Sequence, residues 1–113
     1  MSASLQKDPA ILELLDRLRE RLGAGAFVLV DYWDADLCAV GVASPHDKRF
    51  LAYVSSYNNP EGRYDVELEE PPRGNKDDPY SVARRHRDAD VEAVVEIVRG
   101  HLSQGHRRKE GQP

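Results

Sequence analysis

A two-layer α+β fold, in which a four- or five-stranded antiparallel β-meander carries an N-terminal and a C-terminal helix on one face, is what this sequence predicts. Three observations carry the prediction. Apolar residues recur at helical spacing near both ends, in DPAILELLDRLRERL (residues 8–22) and DADVEAVVEIVRGHL (residues 88–102). Between them the pattern changes to β-rich runs: AFVLVDYW, LCAVGVA, RFLAYVSSY and GRYDVELE. The connections Asp34-Ala35-Asp36, Ser44-Pro45-His46-Asp47-Lys48 and Asn58-Asn59-Pro60-Glu61 are short and rich in turn formers, as antiparallel neighbours require.

In the first helical segment, Ile11, Leu14, Leu15, Leu18 and Leu22 form one apolar stripe. Asp8 suits the N-cap and Pro9 the first helical position, where a missing N–H costs nothing. Gly23 ends the helix. The first three β-runs are apolar at nearly every position, which places them centrally or under cover on both faces. The fourth is two-faced, with Tyr64, Val66 and Leu68 on one side and Arg63, Asp65, Glu67 and Glu69 on the other. Residues 71–79, PPRGNKDDP, read as a loop, and YSVARRH as a fifth, short strand. The last helix sets Val91, Val94, Val95, Val98 and Leu102 on one face, with Asp88 or Asp90 as its N-cap. β-Branched valines are mediocre helix formers, so packing on the sheet must stabilise it. The reading is one domain over residues 1–105 and a charged, disordered tail over 106–113.

The chain of 113 residues holds 16 Lys+Arg and 20 Asp+Glu, a formal charge of −4, with 40% hydrophobic residues. That length supports a single core without disulfide or metal support. No run of about 18 apolar residues offers a membrane span, and charges interrupt the place of a signal-peptide core. A cytoplasmic location is expected. The single cysteine, Cys38, lies in an apolar run and reads as a buried thiol.

Charge is uneven along the chain. Residues 26–70 carry Lys48, Arg49 and Arg63 against Asp31, Asp34, Asp36, Asp47, Glu61, Asp65, Glu67, Glu69 and Glu70. Nucleic-acid binding needs a concentrated basic surface, so this balance argues against it and favours a basic protein partner. The cluster Arg84-Arg85-His86-Arg87 either grips phosphate or, on the simpler reading, balances the neighbouring acidic strand.

Chemistry-bearing patterns are few. Asp31, Asp34 and Asp36 surround the first turn, but aspartates are ordinary hairpin residues and the glycine and distal glutamate of a Ca²⁺ loop are missing. His46, His86, His101 and His106 are scattered and read as exposed or capping residues, with no pair at metal-ligand spacing. There is no G-x-S-x-G and no phosphate-binding glycine loop. The sequence predicts no enzyme and no cofactor. The expected partner-binding residues are Trp33, Tyr57, Asp65, Glu67 and Glu69, rings at strand ends beside an acidic strand face. The bland alternatives are core caps and a solvated face. A sheet edge also stands open to pairing with a second copy, giving a homodimer.

The stretch DYWDADLCAVGVASPHDKRFLAYVSSY, followed by RYDVELE and VEAVVEIVRGHL, resembles small bacterial α+β proteins found as immunity partners of polymorphic toxins. The resemblance covers roughly residues 10–103, as a pattern of helix, meander and helix, and carries over no site residues. It implies a non-enzymatic protein that neutralises a toxin by binding it. The competing expectation is a small-molecule or catalytic domain with a pocket between sheet and helices, lined by Tyr and Trp and using Asp31 or a histidine.

Overall fold

A computed structural model describes residues 7–30, 37–71 and 81–110, of which 81–83 and 106–110 are described by backbone alone. Along the chain run α1 (Pro9–Leu22), β1 (Val28–Val30), β2 (Ala39–Ala43), β3 (Leu51–Ser55), β4 (Arg63–Glu70), β5 (Ser81–Asp90) and α2 (Val91–Glu110). The strands form one sheet in chain order, β1-β2-β3-β4-β5, and every neighbouring pair is antiparallel. This is the expected α+β architecture.

Helix α1 starts and stops where its residues require. Asp8 takes an extended N-cap conformation before Pro9, and the Asp8 carbonyl accepts the N–H groups of Ile11 and Leu12. Its carboxylate makes no cap bond; Oδ2 instead accepts from the Cys38 thiol at 3.1 Å. Cys38 is therefore half-buried and hydrogen-bonded, not the fully buried thiol expected. Gly23, at φ +103°, donates its N–H to Arg19 and ends the helix with a backbone conformation that L side chains rarely adopt. Tyr64, buried on β4, ties the helix to the sheet by donating its hydroxyl to the Ala10 carbonyl at 2.9 Å.

The register separates two sheet faces. Val40, Val54 and Val66 lie side by side, as do Val42, Ala52 and Leu68. These rows pack with Ile11, Leu14, Leu15 and Leu18 of α1 and Val94, Val95, Val98 and Leu102 of α2 in one core. The opposite rows run Gly41, Tyr53, Glu67, Arg85 and Ala39, Ser55, Asp65. β2 is buried at all five positions, as its continuous apolar sequence requires.

Two elements depart from expectation. β5 is not a short strand: it continues to Asp90 and meets α2 without a loop. Side-chain bonds hold this extension. Arg63 donates to Asp88 Oδ1 at 2.9 Å and to the Asp88 carbonyl at 2.7 Å, and the Asp88 N–H donates to Asp65 Oδ1 at 3.0 Å. Asp88 sits at φ +57° beside a register shift, a bulge of the kind Asp tolerates. Asp90 caps α2, its Oδ1 accepting the Ala93 N–H at 2.8 Å. At the other end, α2 crosses the expected domain boundary at 105 and stays helical to Glu110. Gly105 lies within this extension, and a Cβ there would stand 2.5 Å from Ser44 Oγ and 2.8 Å from Ser44 Cβ. Glycine lets the helix close onto the β2–β3 hairpin.

Candidate interaction face

The sheet face turned away from the helices carries the acidic strand. β4 places Asp65 and Glu67 there, half-buried, beside Ser55 and Tyr53 of β3. On its other side β5 sets Arg85 against Glu67, and the two form an ion pair at 3.1 Å. An open groove of about 390 Å³ runs over Tyr53, Ser55, Asp65, Glu67, Arg85 and Arg87. The face is thus two parallel rows of opposite charge, where the sequence alone predicts an acidic surface.

Each expected partner-binding residue has a distinct fate. Tyr57, on the β3–β4 turn, is 66% exposed, and its N–H donates to Ser55 Oγ beside the groove. Asp65 and Glu67 reach the groove as expected, although each already holds a partner, the Asp88 N–H and Arg85 respectively. Glu69 does not: it is only 7% exposed and stands opposite buried Leu51, next to a register shift in the β4–β5 pairing. Burial, reinforced by the nearby Glu67 charge, raises the Glu69 carboxyl above its ordinary pKa. A charge in that position is costly, and Glu69 leaves the list of surface residues. Trp33, with Tyr32, Asp31, Asp34 and Asp36, lies outside the described residues.

The basic cluster divides between the two faces. Arg85 and Arg87 line the outer groove, whereas Arg84 and His86 stand opposite Leu68 and Val66 on the helix side. There they border a second groove of about 270 Å³ with Ile97, Gly100 and Gln104 of α2. Only Arg85 takes part in the expected charge balancing; neither Arg84 nor Arg87 has an ion-pair partner among the described residues. Asp88, hydrogen-bonded to Arg63, is held below the ordinary carboxyl range, and Arg63 is raised in return. No family model, curated protein or solved structure matches this chain.

His101 was not expected in the core. It is 3% exposed, its Nε2 lies 2.7 Å from the Glu69 carbonyl, and its ring meets Phe50 edge-on at 5.6 Å. Desolvation lowers its pKa. The signal was present: His101 follows Val98 by three residues and Val94 by seven, on the helical stripe itself.

A third open groove, of about 260 Å³, lies between the end of α1, the β2–β3 turn and α2. Its arginines are engaged, Arg21 with Glu92 and Arg99 with Glu96. Among the described residues, no group of three or more His, Cys, Asp and Glu side chains is placed to hold a metal ion. Nor is any helix among them long and apolar enough to cross a membrane.

Proposed function

We propose that this chain is a non-enzymatic protein-interaction module of the immunity or inhibitor kind, taking a basic partner on the outer face of β3, β4 and β5. The observation that supports the reading is the open groove over Tyr53, Ser55, Asp65 and Glu67, with exposed Tyr57 two residues beyond Ser55 on the β3–β4 turn. Partner cations sit over Asp65 and Glu67, and Tyr57 supplies an aromatic anchor. The Glu67–Arg85 pair does not close the site. Both side chains keep solvent contact, 33% and 60%, and exposed pairs of this kind contribute only about 0–1 kcal/mol, so an incoming cation exchanges for Arg85 at small cost. Val40, Val42, Val54, Val94, Val95 and Val98 fill the middle of the space between sheet and helices, which favours the interaction reading and leaves the small-molecule alternative the open groove beside α2.

The test is affinity capture from the source lysate, followed by titration of the purified captured protein against wild type and variants confirmed to be folded by circular dichroism. A single basic protein is expected, with Glu67→Lys weakening it at least tenfold and Tyr57→Ala by about tenfold. Equal affinity for wild type and both variants overturns the assignment of the surface.

A further inference from the structure

We infer that the outer edge of β5 is a docking site for an extended peptide segment alternating acidic and apolar residues, which adds to the sheet as a sixth strand. β5 is the last strand in the sheet order and, among the described residues, pairs with β4 alone. Alternate backbone N–H and C=O groups of such an edge point away from the sheet and are available to another chain. Main-chain pairing supplies affinity in this mode, while sites for alternate side chains supply selectivity.

Both sets of side-chain sites flank the edge. Toward the outer face stand Arg85 and Arg87; toward the helices stand Arg84 and His86. Arg84 and Arg87 are exposed and have no ion-pair partner among the described residues, so their charge is uncommitted. On the helix side the groove of about 270 Å³ adds Leu68 and Ile97, and Gly100 leaves its floor open: a Cβ there meets nothing within 4 Å. A segment laid along Arg84–Arg87 therefore directs acids toward Arg85 and Arg87, and apolar side chains toward Ile97.

The molecule already uses this solution on the other side of the same strand. β4, RYDVELEE, alternates acids with Tyr64, Val66 and Leu68, and gives β5 the Glu67–Arg85 pair. A second copy of β5 fits worse. Antiparallel self-pairing centred between Arg85 and His86 sets Arg84 against Arg87, and like charges directly opposite are destabilising. The arginines thus discourage self-association while remaining complementary to an acidic strand. The bulge at Asp88 ends the regular edge, so the docked length is about four residues.

The edge adjoins the groove proposed for the basic partner and shares Arg85 and Arg87 with it, but the two readings are tested by different substitutions, Arg84 and Arg87 here against Tyr57 and Glu67 there. The probe is a synthetic peptide with the sequence of residues 63–70, titrated into the full chain and followed by amide NMR shifts. Two control peptides accompany it: one with its acids changed to lysine, and one N-methylated at alternate residues, which keeps the charge but cannot pair as a strand. Saturable shifts confined to residues 84–88 and the facing part of α2 are expected. Arg84→Glu/Arg87→Glu should weaken binding at least tenfold, with neither control peptide binding. Three results overturn the inference: no saturable binding, equal binding of the N-methylated peptide, or shifts centred on Tyr53 and Glu67. The variant carries two exposed substitutions, and its circular dichroism and melting curve verify that a loss of binding is not a loss of fold.

Discussion

Replacing either glycine of α2 by alanine should change stability in opposite directions. Inside a helix, Gly→Ala gains about 1 kcal/mol from propensity and reduced unfolded-state freedom when the new methyl has room. At Gly100 it has room, with nothing within 4 Å of the added Cβ. At Gly105 the same methyl meets Ser44 Oγ at 2.5 Å, Ser44 Cβ at 2.8 Å and Phe50 Cδ2 at 3.3 Å. Ser44 cannot easily move aside. It is fully buried, and its Oγ accepts the N–H groups of His46 and Asp47 that shape the β2–β3 turn. Overpacking of this severity costs about 3 kcal/mol, the upper end of the usual range. Subtracting the propensity gain leaves Gly105→Ala destabilised by about 2 kcal/mol, and Gly100→Ala stabilised by about 0.5–1 kcal/mol. Urea unfolding at 25 °C measures both, and thermal scans should show a fall in Tm of about 10 °C for the first variant. Adding Ser44→Gly to Gly105→Ala should recover part of the loss through a favourable coupling. A neutral or stabilising Gly105→Ala would refute the close approach of α2 to the hairpin.

Four further outcomes are expected. His101 is buried with its pKa lowered, so it stabilises the fold fully above its unfolded pKa of about 6.5 and loses that contribution as pH falls through the folded value. Unfolding free energies between pH 7.5 and 5 should therefore fall more steeply for wild type than for His101→Leu. Glu69 has the opposite sign: its carboxyl is raised, so ionisation opposes folding at neutral pH. Glu69→Gln should raise Tm at pH 7, with the gain shrinking as pH falls through the raised folded value and gone below the unfolded carboxyl pKa of about 4.3, where the wild-type group is protonated in both states. Tyr64→Phe removes the bond to the Ala10 carbonyl and should cost about 1 kcal/mol in denaturant unfolding. Asp90→Ala removes the α2 cap, with a loss of about 1 kcal/mol by the same measurement.

Periodic signals were legible and long-range charge pairing was not. The stripe Ile11, Leu14, Leu15, Leu18 located α1, and the alternation of Tyr64, Val66 and Leu68 placed one face of β4 in the core. Both signals arise from the geometry of single elements, which a sequence displays directly. The extent of β5 depended on Arg63 reaching Asp88 across 25 positions, a contact with no local signature. Glu69 looked like its neighbours Asp65 and Glu67 by alternation; its burial follows from the Leu51 register and the adjacent shift in pairing with β5. Gly105 opens the charged run without apolar residues that reads as a tail, because a glycine required by a tertiary approach carries no periodic signal. For the interaction face, the sequence identified the acids of β4 but not the arginines placed beside them, since strand pairing alone brings the two rows together.

Because the strands pair in chain order, each hairpin of the sheet can form from residues close together along the polypeptide. Such an arrangement avoids the slow loop closures that delay sheets with crossed or parallel strands. The exception is the packing of α1 against α2, which brings the two ends of the chain together in one core. Sheet assembly can thus proceed as a sequence of neighbouring steps, with helix docking as the event that closes the molecule. Amide exchange during refolding should show protection in β2, β3 and β4 before the interface between α1 and α2 is protected.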